Sequence, residues 1–93
     1  MQRSHEEVQA ILENHKGHYK VQPVTAKFNE EAGKSGGWAI MAIQVHRYDG
    51  VKWDPVEIDW EIEKLRDVRH PSKEDADKDA LARAADWLEE YGL

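Results

Sequence analysis

No cysteine occurs among the 93 residues, which excludes disulfides, thiolate zinc sites and a cysteine nucleophile and suits a reducing compartment. Long apolar runs are missing too: the longest uncharged one, Trp38 to Ile43, is far too short to cross a bilayer. The opening stretch Met1-Gln2-Arg3-Ser4-His5-Glu6-Glu7 has no apolar leader core. A cytoplasmic protein with no membrane contact is the expectation. Gly33, Gly36 and Gly37 cluster without the fingerprint of a nucleotide loop, because Lys34-Ser35 precedes the glycine pair instead of closing such a loop. Cations are scarce as well. The net charge of −6 is uneven: residues 1–53 hold seven Lys/Arg against six Asp/Glu, whereas residues 54–93 hold six against thirteen. Direct binding to nucleic acid is not expected, since affinity for phosphates comes from cations that release counterions.

Charged residues make up 34% of the chain, yet it carries four tryptophans and clear apolar patterning, so it should fold rather than stay disordered. Its length suits one domain over 1–93. The organising stretch is Val56-Glu57-Ile58-Asp59-Trp60-Glu61-Ile62-Glu63, where apolar and acidic residues alternate without a break. A period of two predicts a strand with Val56, Ile58, Trp60 and Ile62 toward a core and four carboxylates on the other side. Ile58, Ile62 and Leu65 would also suit one face of a helix.

Along the rest of the chain, Ser4-His5-Glu6-Glu7 has capping-box spacing and opens a helix over residues 4–16, with Gly17 placed to end it in a left-handed conformation. In His18 to Phe28, Tyr19 and Val21 lie in one phase and Val24, Ala26 and Phe28 in the other. The break at Pro23 predicts an edge strand with a bulge there. Residues 29–37 form a glycine-rich loop. Trp38 to Tyr48 is apolar in both phases, as a central strand is, and Asp49-Gly50 then predicts a two-residue hairpin turn that pairs Tyr48 with Val51. That register sets Trp38 beside Glu61, Ile40 beside Asp59, Ala42 beside Glu57 and His46 beside Trp53. Lys64, Arg66, Arg69 and His70 gather in a loop where they offset neighbouring acids. Ser72 caps a last helix whose buried stripe is Ala76, Ala80, Leu81, Ala84, Leu88 and Tyr91, with Trp87 at its margin and Gly92 at its end.

The fold class is therefore α+β: one α-β-β-β-α domain with a three-stranded antiparallel sheet, two helices packed on one face and the other face open. This order resembles the double-stranded-RNA-binding domain, and Ser72-Lys73-Glu74-Asp75-Ala76-Asp77 aligns with the start of that family's second helix. Lys73 and Ala76 keep the pattern, but Glu74 and Asp77 stand where the motif needs lysines on phosphate. The resemblance implies a fold and no function.

His15-Lys16-Gly17-His18 has ligand-like spacing, but a helix-breaking glycine lies between the histidines and no carboxylate accompanies them, so neither a metal nor a cofactor is expected. Glu57, Asp59, Glu61 and Glu63 share one side and similar solvation, unlike a general acid and base, which need unlike environments. A non-enzymatic protein is the expectation. The candidate partner-binding residues are Trp38, Ile40, Tyr48, Trp53, Asp54, Glu57, Asp59, Glu61 and Glu63, because aromatic anchors among carboxylates suit a basic partner. In size, acidity and lack of motifs the chain resembles small phage-encoded antagonists of nucleic-acid-handling proteins, anti-CRISPR proteins among them, that act as nucleic-acid mimics. A structural protein that homodimerises through the open sheet face is the alternative.

Overall fold

In a computed structural model, which describes residues 3–92, the chain is a small α+β domain with a three-stranded antiparallel sheet of order β1-β2-β3 and helices packed against it. Helix α1 spans His5–His15, with Ser4 Oγ accepting from the amide of Glu7 at 3.2 Å. Gly17 has no positive φ. The expected left-handed end is replaced by a tight turn in which the His18 amide donates to the His15 carbonyl at 2.9 Å.

Strand β1 (Tyr19–Phe28) pairs with β2 (Gly37–Tyr48), and the register shifts between Val24 and Thr25. The bulge falls beside Pro23, as expected, but the extra residue is Met41 of β2: Val24 pairs with Ala42 and Thr25 with Ile40. This explains why β2 is apolar in both phases. The inserted residue switches the pleat, so Ile40 on one side of it and Ile43 and Val45 on the other all turn toward the helices, where all three are buried.

The Tyr48 amide donates to the His18 carbonyl, so even-numbered residues of β1 up to Val24 bond to β2 and odd-numbered ones aim their backbone groups at the free edge. Pro23 sits at one of those outward positions. It therefore removes no ladder bond, and it blunts the edge against pairing with another chain.

Strand β3 is shorter than the alternation implies. It covers Trp53–Pro55, and its register pairs Tyr48 with Trp53, Arg47 with Asp54 and His46 with Pro55. The two-residue hairpin turn is thus corrected to four residues, Asp49 to Lys52. The cause is the Asp49 carboxylate, which accepts from the amides of Val51 at 2.8 Å and Lys52 at 2.9 Å. Val51 does not face Tyr48 and is 87% exposed.

After Pro55 the Val56 amide donates once more to β2, at the Val45 carbonyl, and the chain then leaves the ladder. Residues 57–61 have no strand assignment, and Ile62–Arg66 forms a short helix, α2. The expected strand over Val56–Glu63 is thereby overturned. Leaving the ladder lets Val56, Ile58 and Trp60 pack against the cluster of Val8, Ile11, Tyr19, Val45, Ala85 and Leu88. Trp60 and Ile62 also reach the second cluster, of Ile40, Ile43, Leu65, Ala80 and Ala84. Glu61 makes the bend between tether and helix in a left-handed conformation, φ 53°.

Helix α3 (Lys73–Tyr91) starts at Ser72, whose hydroxyl accepts from the Asp75 amide at 3.1 Å. Ala76, Ala80, Ala84, Ala85 and Leu88 are buried, so small side chains bring the helix close to the sheet. Tyr91, expected in the stripe, is 62% exposed. Its ring instead lies 5.7 Å from that of Trp87, which meets Tyr19 edge-on at 6.0 Å. No helix among the described residues is long and apolar enough to cross a membrane.

Candidate functional site

Two surfaces divide the residues that the sequence groups as one site. The first is the tether from Asp54 to Glu63. Its apolar members face the core, so Glu57, Asp59, Glu61 and Glu63 are all exposed. Same-side carboxylates on extended backbone recur every ~6.7 Å. Glu61 pairs with Lys64 at 3.2 Å, Asp54 with Lys52 at 3.5 Å, and Asp59 accepts from the Glu61 amide at 3.0 Å just ahead of α2. Neither Glu57 nor Glu63 forms an ion pair among the described residues.

The second surface is the sheet face turned away from the helices. The register puts Lys20, Gln22 and Val24 of β1, Ala42, Gln44, His46 and Tyr48 of β2, and Trp53 of β3 on it. Tyr48 and Trp53 are paired across strands with ring centroids 5.0 Å apart, and the Lys20 ammonium lies 4.3 Å from the Trp53 ring centroid. No carboxylate occupies these strand positions. The expected face, aromatic and acidic together, is corrected to an aromatic and weakly basic one, because the acids leave the ladder at Pro55. Lys20 is a member that the sequence reading misses, and the strand register, which pairs Lys20 with His46 and His46 with Pro55, two residues from Trp53 on the same face, is what reveals it.

Two aromatic-face candidates are displaced. Ile40 is 1% exposed and packs with Ile43, Leu65, Ala80 and Ala84, so it is a core residue and not a contact for a partner. Trp38 is half-buried on the same helix-facing side of β2 as Ile40, and its backbone exchanges two hydrogen bonds with His70, at 2.9 and 2.7 Å. His70, not Glu61, is therefore the neighbour of Trp38. Asp54 also lies on the pleat opposite Tyr48 and Trp53.

Two charged groups at structural positions have perturbed pKa values. The Asp49 carboxyl is held below its ordinary value of 3.8 by the amides of Lys52 and Val51. Arg3 is raised by its hydrogen bond to Asp86, at 2.8 Å. His15 Nδ1 lies 2.9 Å from the Ile11 carbonyl. Among the described residues no group of three or more His, Asp and Glu side chains could hold a metal ion. No protein-family model, curated protein or solved structure matches the chain.

Proposed function

We propose that the protein is a non-enzymatic binding module whose acidic tether, Asp54 to Glu63, docks on a basic surface of another protein. The observation that carries this reading is the mooring of the tether: Val56, Ile58 and Trp60 fix it to the core while all four alternating carboxylates point outward. A row held this way needs little ordering on binding, and its unneutralised charges at Glu57 and Glu63 steer a cationic partner. Proteins that handle nucleic acid carry basic surfaces of this kind, so the partner we propose is a nucleic-acid-handling protein and the mode of action is competitive mimicry of the nucleic acid. A phage-type antagonist such as an anti-CRISPR protein has this character. The test captures partners from a lysate of the source cell at low and high salt, identifies them, and measures affinity for Glu57→Lys/Glu63→Lys. Loss of at least about 30-fold in affinity with a flatter salt dependence supports the reading; unchanged affinity and salt slope refute it.

A second reading has its own support. The helix-free sheet face carries the Tyr48 and Trp53 rings with Val24, which is 36% exposed, and a homodimer would cover them. Sedimentation at micromolar concentration separates the two: a dimer abolished by Trp53→Ala favours assembly, and a monomer favours the heterologous partner.

A further inference from the structure

At the end of the molecule opposite the β-hairpin turn, the glycine-rich loop and the segment between α2 and α3 face each other across an open cleft of about 1040 Å³. Gly33, Lys34, Ser35, Gly36 and Gly37 line one side, and Asp67, Arg69, His70 and Pro71 the other. The glycines have a packing reason to be there. A Cβ on Gly36 would stand 2.9 Å from the Glu30 amide nitrogen, and one on Gly37 would stand 2.7 Å from the His70 carbonyl oxygen. With no side chains at these positions, the loop packs backbone on backbone against residues 28–30 and His70. The amides of Ser35 and Gly36 make no backbone hydrogen bond among the described residues, so they are free to donate.

Arg69 stands across from them. Its guanidinium stacks on the Phe28 ring at 4.4 Å and one terminal nitrogen donates to the Arg66 carbonyl, which fixes the group in place. Its Nε is buried and has no hydrogen-bond partner, so an anion in the cleft would meet the terminal nitrogens. Neither Arg69 nor Lys34 forms an ion pair among the described residues, as is also true of Lys20, Lys27, Arg47 and Arg66, but these two share one cleft. In a chain with net charge −6, two cations without ion pairs and two unused amides line one cleft. The basic cluster that the sequence assigns to offsetting nearby acids is neutralised at Lys64 but not at Arg66 or Arg69, of which only Arg69 lines the cleft. His70 is turned elsewhere, toward Asp79 at 3.3 Å. Asp67 is the one carboxylate on the lining, and it disfavours an anion at its own end of the cleft.

We infer that this cleft binds a phosphate-type oxyanion, a phosphomonoester group held by Arg69, Lys34 and the loop amides of Ser35 and Gly36. A fixed guanidinium suits two oxygens of a phosphate, and free amides complete the shell. The site is separate from the acidic tether and does not depend on the docking reading.

The test is an amide NMR titration of the whole protein at low ionic strength, first with inorganic phosphate, then with a 5′-mononucleotide and with O-phosphoserine. Saturable shifts confined to residues 33–37 and 67–70 are expected, weakened about tenfold by Lys34→Gln and lost in Arg69→Ala. Lys34 is exposed, so its variant reports on binding even if Arg69→Ala perturbs the loop through Phe28. Tighter binding of the mononucleotide or of phosphoserine identifies the source of the phosphoryl group. Shifts spread over the surface, shifts that chloride reproduces at equal ionic strength, or an unchanged Lys34→Gln titration would overturn the inference.

Discussion

Replacing Ile40 with alanine should destabilise the fold by about 3–4 kcal/mol, the middle of the range for deleting a buried aliphatic side chain. The size follows from what surrounds it. Ile40 is 1% exposed, and two of the residues in its cluster are Ala80 and Ala84 of α3, which have no rotatable side chain to swing into the space left behind. The facing backbone is tied through the bulge at Met41, so the walls of the cavity relax little. For a domain with roughly 5–10 kcal/mol in total, that is a third or more of the stability. Urea denaturation followed by tryptophan fluorescence should show a midpoint lower by about 2–3 M at an unchanged slope near ~1.3 kcal/mol/M. A loss under about 1 kcal/mol would refute the reasoning and return Ile40 to the surface, where the simple strand alternation puts it.

Gly37→Ala should cost about 2 kcal/mol or more, because φ there is 131° and the added methyl would strike the His70 carbonyl that Trp38 bonds; thermal melting checks this, with Gly17→Ala, at a site with open space and no positive φ, as the comparison. Asp49 gives a pH dependence of known sign. Its folded pKa is depressed, so its contribution to the hairpin is complete above the unfolded value near ~3.9 and is lost as pH falls through the lower folded value. A carboxyl-carbon NMR titration should find its midpoint below 3.8, and Asp49→Asn, which keeps an acceptor oxygen, should remove that part of the acid sensitivity; a midpoint at or above the ordinary value would contradict the turn geometry. Leu65→Ala should cost about 2–3 kcal/mol by urea denaturation while Val68→Ala, at an exposed site, stays within about 0.5, since the first docks α2 on the core and the second does not.

Local chemistry made the helices legible. Ser4 and Ser72 cap them as their spacing requires, and the alanine stripe of α3 marks its buried side. The sheet was legible in strand order but not in detail, for reasons that lie in particular residues. Asp49-Gly50 fits a two-residue turn and a four-residue one, and the choice is made by a side chain that bonds two amides beyond it. Two apolar phases in β2 describe a strand buried on both faces as well as a strand with one inserted residue. Only the pairing of Thr25 with Ile40 distinguishes them.

The same ambiguity governs the candidate site. Alternation of apolar and acidic residues is satisfied by a ladder and by an extended tether alike, because both turn successive side chains to opposite sides. The exposure of the four carboxylates was therefore legible, and their neighbours were not. Pro55, with no amide to donate, and the helical spacing of Ile62 and Leu65 were the available clues that the ladder stops. Trp38 and Ile40 went astray with the register, since a bulge reverses every side chain beyond it. The cleft at Arg69 has no signature in the chain at all: it depends on which cations find carboxylates once the fold is made.

Amide hydrogen exchange across residues 54–63 tests most directly whether the carboxylates are displayed from a moored tether. Val56, bonded to the Val45 carbonyl, should be protected. Glu57, Ile58, Asp59 and Trp60, which make no backbone bond from their amides among the described residues, should exchange close to the rate of an unstructured chain, while the Trp60 ring still shows contacts to the core in the same sample. Alternating protection through Ile58 and Trp60, as a laddered strand would give, would contradict the tether and with it the geometry on which the docking surface is built.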